Sequence, residues 1–457
     1  MTSKSVWFAQ ILVLLLASIS TIVLIQEFSR VLHPTELNNS TDADSRNINI
    51  GTKVFESEST GHSSNLTARQ KLIADVKRAS RDLKAALSRP QENGGRIPQD
   101  SGLSFPSLSA GISIFRRGIL AFVPAHNPRY ISELRWFYLS WGYMRANQPR
   151  DVKSDLVLFT EPSFVAELAS DFGCKLEIRS QADEDECIVL QHVPLKKRTL
   201  KEGEEASPLI DYDSYVDSML ILAEFQHTDA YDVLMRSDLD TFLTPGFSDW
   251  RLDKDVAMVT GRGGYGSTNS NKHLNWIAEK KLGLVDSGRR NLGSTWYGSS
   301  SVMKETAKLT LAVMSWLDTQ EFSEYEKGNN GVDGWPYWHW PVILLYGGHI
   351  ALNQIPEGRL QEYHEGFVEM DKATSVNSPM TVSTKHLHCF HGEEFFSKFK
   401  FYDGRYTDLD LSEFEAMETP QAYAAVIALS SARLSIQEIV LFSKDKEAMV
   451  SGAWKRL

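Results

Sequence analysis

The chain has 457 residues and a formal net charge of −11, with 42% apolar and 23% charged side chains. These proportions belong to a folded protein and exclude a disordered chain, a collagen-like fibre and a multi-spanning transporter. Three cysteines are too few for a disulfide-built scaffold, and the acidic balance argues against a protein whose main task is gripping nucleic-acid phosphates.

Residues 6–25, from Val6 to Ile25, carry no charge. A run of about 20 residues at about 1.5 Å each spans roughly the 30 Å hydrocarbon core of a bilayer, so this segment is expected to be a transmembrane helix. A cleaved signal peptide is the rival, with small residues at Ala17 and Ser18. The run outlasts the usual apolar region of such a peptide and no clean A-x-A site follows it, which favours an uncleaved anchor. Lys4 precedes the run, while Glu27 and Arg30 cancel after it, so residues 1–5 are expected to be a cytosolic tail. N-x-[ST] acceptors at Asn38, Asn39 and Asn65 fit a far side that is lumenal.

Residues 26–111 hold 11 basic and 10 acidic side chains, a net of +1, and with Lys4 set aside residues 112–457 carry −13. The first stretch is rich in Ser, Thr, Asn and Gly and reads as a stem or linker. Within it, Ile73, Val76, Leu83 and Leu87 predict a basic helix near 66–89. A short coiled-coil stem that pairs two chains into a homodimer and a solvated helical spacer are both open.

From residue 112 the pattern is that of one globular domain to residue 457. Ile119–Val123 reads as a buried strand ending at Pro124, residues 130–146 as a helix, and Asp155–Phe159 as a second strand. Pro162–Phe172 has a helical pattern, and the acid-rich 183–217 reads as an exposed loop leading into a helix over 213–227. Asp232–Met235 is a third strand. Strands alternating with helices imply an α/β fold, a parallel or mixed sheet flanked by helices, because parallel strands need a crossover.

The third strand runs into Met235-Arg-Ser-Asp238-Leu-Asp240-Thr-Phe-Leu243. Carboxylates two apart on extended chain point to one side, and at the carboxyl end of such a strand that side faces the ligand crevice. Two close like charges are costly unless a cation or a proton relieves them. A hard divalent ion shared with a diphosphate is the economical solution.

This layout resembles the GT-A fold of nucleotide-sugar-dependent glycosyltransferases, and it is similar to an uncharacterised family of type II membrane, nucleotide-diphospho-sugar-transferase-like proteins. The resemblance spans about 112–400 by order of elements, with the Asp-x-Asp as its specific motif. It implies a Rossmann-like GT-A sheet behind a transmembrane helix and stem, a single-pass type II protein of the Golgi membrane, and a lumenal catalytic domain. It further implies transfer of a sugar from a nucleotide-diphosphate donor to a hydroxyl of a glycan or glycoprotein, with Mn2+ or Mg2+ as cofactor and no nucleic-acid partner. Asp238 would contact the donor ribose or a metal water, and Asp240 the metal. Pro124, Ala125, His126 and Asn127, after the first strand, would lie where the nucleotide base is held.

Three later segments fit in order. Asn291-Leu-Gly293 resembles the Asn-x-Gly strand lining the donor sugar pocket, where glycine permits close backbone approach; a simple turn is the plain alternative. In Gly331–Trp340, Trp335 and Trp338 suit stacking on a sugar face, a core role being the alternative, and Asp333 is the candidate catalytic carboxylate. Such enzymes commonly add a late histidine as metal ligand. In His386-Leu-His388-Cys-Phe-His391-Gly392, His388 is favoured and His391 second, with His386 sharing the face of His388 on extended chain.

The same cluster has the spacing of the His-x-His-x-Asp-His zinc signature of metallo-β-lactamase-like hydrolases, but Phe390 occupies the Asp position. A third reading is a catalytically inactive, glycan-binding domain of GT-A type. Cys174 and Cys187 are 13 apart and either bridge in an oxidising lumen, leaving Cys389 odd, or stay reduced and buried. If the acceptors at Asn38, Asn39 and Asn65 face a lumen, an N-glycan-removing enzyme increases the mobility of the cell-expressed protein on a gel; an unchanged band contradicts the orientation.

Overall fold

The computed structural model describes residues 61–89 and 114–456, apart from 180–183, 201–204, 213–214, 329–337, 391, 393 and 415. Every described residue falls within one compact unit, Thr60–Leu457. The tail at 1–5, the apolar run 6–25, Asn38, Asn39, Asp333, Trp335 and His391 lie outside the described residues. No described helix is long and apolar enough to cross a membrane.

A seven-stranded sheet runs through the domain in the order β3-β2-β1-β4-β7-β6-β8. Its members are β1 (Phe115–Val123), β2 (Val152–Thr160), β3 (Cys187–Gln191), β4 (Val233–Arg236), β6 (Met258–Arg262), β7 (Leu292–Ser299) and β8 (Leu360–Gln361). Strands β3, β2, β1 and β4 are mutually parallel, while β7 runs antiparallel to both β4 and β6. A second sheet, order β5-β10-β9, is built from β5 (Thr241–Leu243), β9 (Lys372–Ala373) and β10 (His386–His388). The expected mixed α/β sheet flanked by helices is the observed architecture.

The period-two alternation of the central strands sorts their side chains into two cores. Leu120, Phe122, Val157, Phe159 and Leu234 face one, with helices α1 (Gly61–Ser88), α4 (Tyr215–Ala223), α5 (Ser300–Gln320) and α6 (Ile343–Leu352). Ile119, Ala121, Leu156, Leu158 and Met235 face the other, with α2 (Pro128–Ala146), α3 (Val165–Phe172), α7 (Pro420–Arg433) and the small sheet. Both faces being covered explains why β1 and β2 read as near-continuous apolar runs.

Two expectations are corrected. The basic helix is present, but Val76, Leu83, Ala86 and Leu87 are buried in the first core and α1 packs on α5. The seam read as a homodimer stem or a solvated spacer is therefore spent inside the domain, and Asn65 lies within α1 rather than in a linker. The acid-rich stretch 183–217 is not a plain exposed loop: Cys187–Gln191 pairs in parallel with β2, and Leu195, Leu209 and Tyr212 are buried. Its apolar residues were hidden among a run of acids, of which Glu184 and Glu205 are exposed and Glu186 and Asp217 are themselves buried. A Cys174–Cys187 disulfide ties this edge strand to the end of α3, and Cys389 is free and buried.

The sheet's lower half rests on a buried ion pair. Arg116 Nη2 lies 2.6 Å from Asp155 Oδ2, which also accepts from the Tyr231 hydroxyl at 3.0 Å, while Asp155 Oδ1 accepts from the Glu186 amide at 2.9 Å. Burial raises the Asp155 carboxyl and Arg116 draws it back down. Asp155→Ala removes one side of this buried ion pair together with the bonds from Tyr231 and the Glu186 amide, and is expected to cost about 3–5 kcal/mol, read as a fall in denaturation midpoint.

Candidate functional site

β4 ends at Arg236, and the chain crosses from the large sheet to the small one through Ser237-Asp238-Leu239-Asp240 before re-entering as β5. This crossing is pinned from several sides. The Trp136 indole of α2 donates to the Leu239 carbonyl at 3.0 Å, the Cys389 amide to the Asp240 carbonyl at 3.0 Å, and the Thr241 hydroxyl to the Asp238 carbonyl at 2.7 Å. The backbone that carries the two carboxylates is thus held by α2, β10 and its own following residue.

β10 lies antiparallel on β5 with His388 opposite Thr241. That register sets His388 beside Asp240, its Nε2 3.4 Å from Asp240 Oδ1. One ligand atom from each of Asp238, Asp240 and His388 lies within 4.8 Å of the others, a group that could hold a metal ion. Two carboxylate oxygens suit Mn2+ or Mg2+, and the added imidazole nitrogen favours Mn2+ over the strictly oxygen-seeking Mg2+, so the residues present fit Mn2+ as the cofactor the resemblance implies.

Each carboxylate already has a protein cation. Arg236, fully buried, donates to Asp238 Oδ1 at 2.9 Å and to the Ser294 carbonyl and Ser218 hydroxyl, while the Ser294 hydroxyl donates to Asp238 Oδ2 at 2.9 Å. Lys398 donates to Asp240 Oδ2. Burial works against ionised Asp240, but His388 and Lys398 hold it well below the usual carboxylate range. Burial likewise lowers His388, and Asp240 with Asp371 overrides it, holding the imidazole well above its ordinary value.

The other expected residues fall as follows. Pro124, Ala125 and His126 sit at the carboxyl end of β1, the parallel neighbour of β4, hence on the same edge of the sheet as Asp238. His126 has φ 56° and its ring contacts Phe164, while Asn127 caps α2. Asn291 turns its side chain to the Gly266 amide at 2.7 Å and its carbonyl to the Gly263 amide. A Cβ on Gly293 would lie 2.6 Å from Gly261 backbone and 2.8 Å from Asp371 Oδ2. Glycine does permit close approach there, but of a neighbouring strand and a carboxylate rather than of a ligand. Trp338 stacks nearly parallel on Phe322 and Tyr346, with His273 edge-on, so its aromatic surface is used within the fold and not offered to a sugar. His386 is fully buried between Ser237 and Asp371 and is not part of the metal-ready group, which removes the paired-histidine arrangement of the hydrolase reading among the described residues.

Sequence reasoning missed Glu133, Asp371 and Lys398, which are scattered singly along the chain. Only their convergence on the Asp-x-Asp crossing reveals them. A cavity of about 630 Å³ beside β3 and the end of α4 is lined by Phe159, His192, Phe225 and His227 among others and shares no residue with the metal-ready group.

A family model described as "Domain of unknown function (DUF7164)" matches residues 112–452. No curated protein matches the chain. Among solved structures, the mouse xyloside xylosyltransferase 1 apo form is 10% identical with a TM-score of 0.31, covering 55% of this chain and 86% of that one. The glycosyltransferase GlyE of Streptococcus pneumoniae TIGR4 is 9% identical with a TM-score of 0.32, covering 65% and 62%. The WbbM bifunctional glycosyltransferase apo structure is 10% identical with a TM-score of 0.32, covering 64% and 48%. The chain thus spans under two thirds of the last two. These structural neighbours are glycosyltransferases, and at such TM-scores the likeness carries no functional argument.

Glu133 supplies a test of the site's electrostatics. Its carboxyl, bonded by the Tyr402 hydroxyl, is pushed up to about 8, first by burial and then by the charge of Asp240. A carboxyl whose folded pKa exceeds its unfolded value binds its proton more tightly when folded, so stability falls as pH rises from about 4.5 towards about 8. In EDTA, Glu133→Gln is expected to gain thermal stability relative to wild type across that window; parallel melting curves would contradict the assignment.

Proposed function

The chain belongs to the DUF7164 family, and we propose that its domain is a metal-dependent glycosyltransferase. It moves a sugar from a nucleotide-diphosphate donor to a hydroxyl acceptor on a glycan or glycoprotein. The observation that carries this reading is the convergence of Asp238, Asp240 and His388 at the carboxyl edge of a mixed α/β sheet, where such folds place ligands.

In this reading Asp238, Asp240 and His388 hold Mn2+ or Mg2+, which when bound neutralises charge growing on the departing diphosphate. Asp238 sits with Arg236 beneath it, so its carboxylate is oriented before any ligand arrives. Asp240 offers Oδ2 when the Lys398 ammonium withdraws, and that ammonium then lies beside the donor's phosphates. Pro124, Ala125 and His126 form the neighbouring wall for the nucleotide, while Asn291 and Gly293 shape the site through the 263–266 backbone and Asp371. Asp333 remains our candidate for the group that handles the acceptor hydroxyl, with Trp335 as its stacking neighbour. A run at 6–25 anchoring the domain in the Golgi lumen agrees with the Cys174–Cys187 disulfide, since such bonds persist in oxidising compartments.

One observation favours a second reading, a glycan binder without turnover: Lys398 already satisfies Asp240 as a bound cation would. A panel of nucleotide sugars incubated with the full-length protein, with and without Mn2+, separates the two. The transferase reading expects metal-dependent donor turnover, reduced about 10²-fold or more by Asp240→Ala. Glycan binding with no metal-dependent donor turnover would favour the binder.

A further inference from the structure

Among the described acids, Asp371 alone combines burial with a positive φ. It immediately precedes β9 and is 1% exposed, with φ 57°, a left-handed backbone uncommon for residues with a side chain though better tolerated by aspartate than by most. Its carboxylate enters a slot cleared by two glycines on neighbouring strands. A Cβ on Gly261 of β6 would lie 1.9 Å from Asp371 Oδ2, and one on Gly293 of β7 2.8 Å from it. Oδ1 accepts from the Thr295 hydroxyl at 2.6 Å and lies at ion-pair distance from His386 Nδ1 (3.0 Å) and His388 Nδ1 (3.4 Å), though neither ring nitrogen completes a hydrogen bond, while Oδ2 is likewise buried without a hydrogen-bond partner. A carboxylate taken from water, bent into a disfavoured backbone and left with one oxygen unbonded does not serve stability alone.

What it faces gives the reason. The two nitrogens of His388 point at two different carboxylates, Nδ1 at Asp371 and Nε2 at Asp240. We propose that Asp371 is the positioning residue of the metal centre: it holds His388 by Nδ1, and so presents Nε2 towards the space shared with Asp238 and Asp240. This rests on the metal reading above and extends it to a residue that touches neither ion nor donor. A ligating imidazole needs its second N–H engaged if the ring is to keep one tautomer and one orientation. The strand pairings supply that geometry. β10 lies between β5 and β9 with His388 opposite both Thr241 and Ala373, so Asp240, next to Thr241, and Asp371, two residues before Ala373, reach the ring from the two neighbouring strands. The glycines at 261 and 293 are then explained as the space this buried carboxylate requires.

The test is Mn2+ binding to the metal-free full-length protein, followed by electron paramagnetic resonance of the free ion, so that turnover is not needed. Asp371→Asn keeps the shape and removes the charge, and is expected to weaken Mn2+ binding about 10–100-fold. The same substitution in a His388→Ala background is expected to change binding little, because its effect passes through the imidazole. Thr295→Val, which removes only the hydroxyl donated to Asp371, is expected to weaken binding in the same direction, and it carries the test if Asp371→Asn fails to fold. Wild-type affinity in folded Asp371→Asn, or an equal loss with and without His388, overturns the proposal and leaves the metal site standing. A wild-type protein that binds no Mn2+ overturns the metal reading itself.

Discussion

Three carboxylates, Asp238, Asp240 and Asp371, are brought together where two sheets meet, and much of the surrounding structure follows from the need to balance them. Like charges at this spacing in a low-dielectric interior repel strongly. The domain answers with Arg236 on Asp238, Lys398 on Asp240, and His388 between Asp240 and Asp371, with the His386 ring beside Asp371. These groups come from four separate points along the chain, β4, the turn of helix at Lys398–Tyr402 and the two ends of β10, so the cluster also knits the C-terminal region to the central sheet. An acid cluster without function could be relieved more simply by replacing its acids. Keeping them, each with a counter-charge or ring nitrogen beside it, is the kind of perturbed cluster that gathers at functional sites.

The topology shows how the cluster is made without a long rigid loop. β4 belongs to the large sheet and β5 to the small one, and the Asp-x-Asp motif is the four-residue bridge between them. Short bridges between two packed sheets have little freedom, which gives the carboxylates their fixed spacing. β10 then adds on to β5, so a histidine more than a hundred residues downstream is set beside Asp240 by strand register alone. A slip of one residue would turn His386 and His388 away together and bring Leu387 into the site.

The sequence made part of this legible. Apolar runs marked β1, β2 and β4 because both faces of that sheet are buried, and Asp238, Asp240 and His388 could be named because their residue types and order follow a chemical requirement. β3 escaped notice because its five residues sit beside a dense acidic stretch, and composition over a window averages the two. The stem helix near 66–89 was visible by its periodicity, but a periodic apolar seam does not say whether its partner is another chain or the same one; α5 settled it. Trp338 and Gly293 show the same limit from the other side. An aromatic ring and a glycine both mark close packing, and only the fold reveals whether the neighbour is a ligand, a strand or another ring. Asp371, Lys398 and Glu133 carried no local signal, since isolated charged residues are the commonest surface feature of any chain.

The internal cations also bear on how such a site would bind a metal. Lys398 already pairs with Asp240, so an ion that displaced it would have to repay the loss of a buried ion pair as well as its own desolvation. A donor carrying phosphates changes that balance, because the displaced ammonium then finds a new anion within reach of its flexible stem. Metal and donor would therefore each ease the binding of the other through one lysine, a coupling that is reciprocal by thermodynamic necessity. Asp371 has no part in that exchange. Buried, bracketed by glycines and bonded by Thr295, it would stay in place if Lys398 moved, and in the proposed reading such a stationary anchor for His388 would let one ligand of the site keep its orientation as the other changed partner.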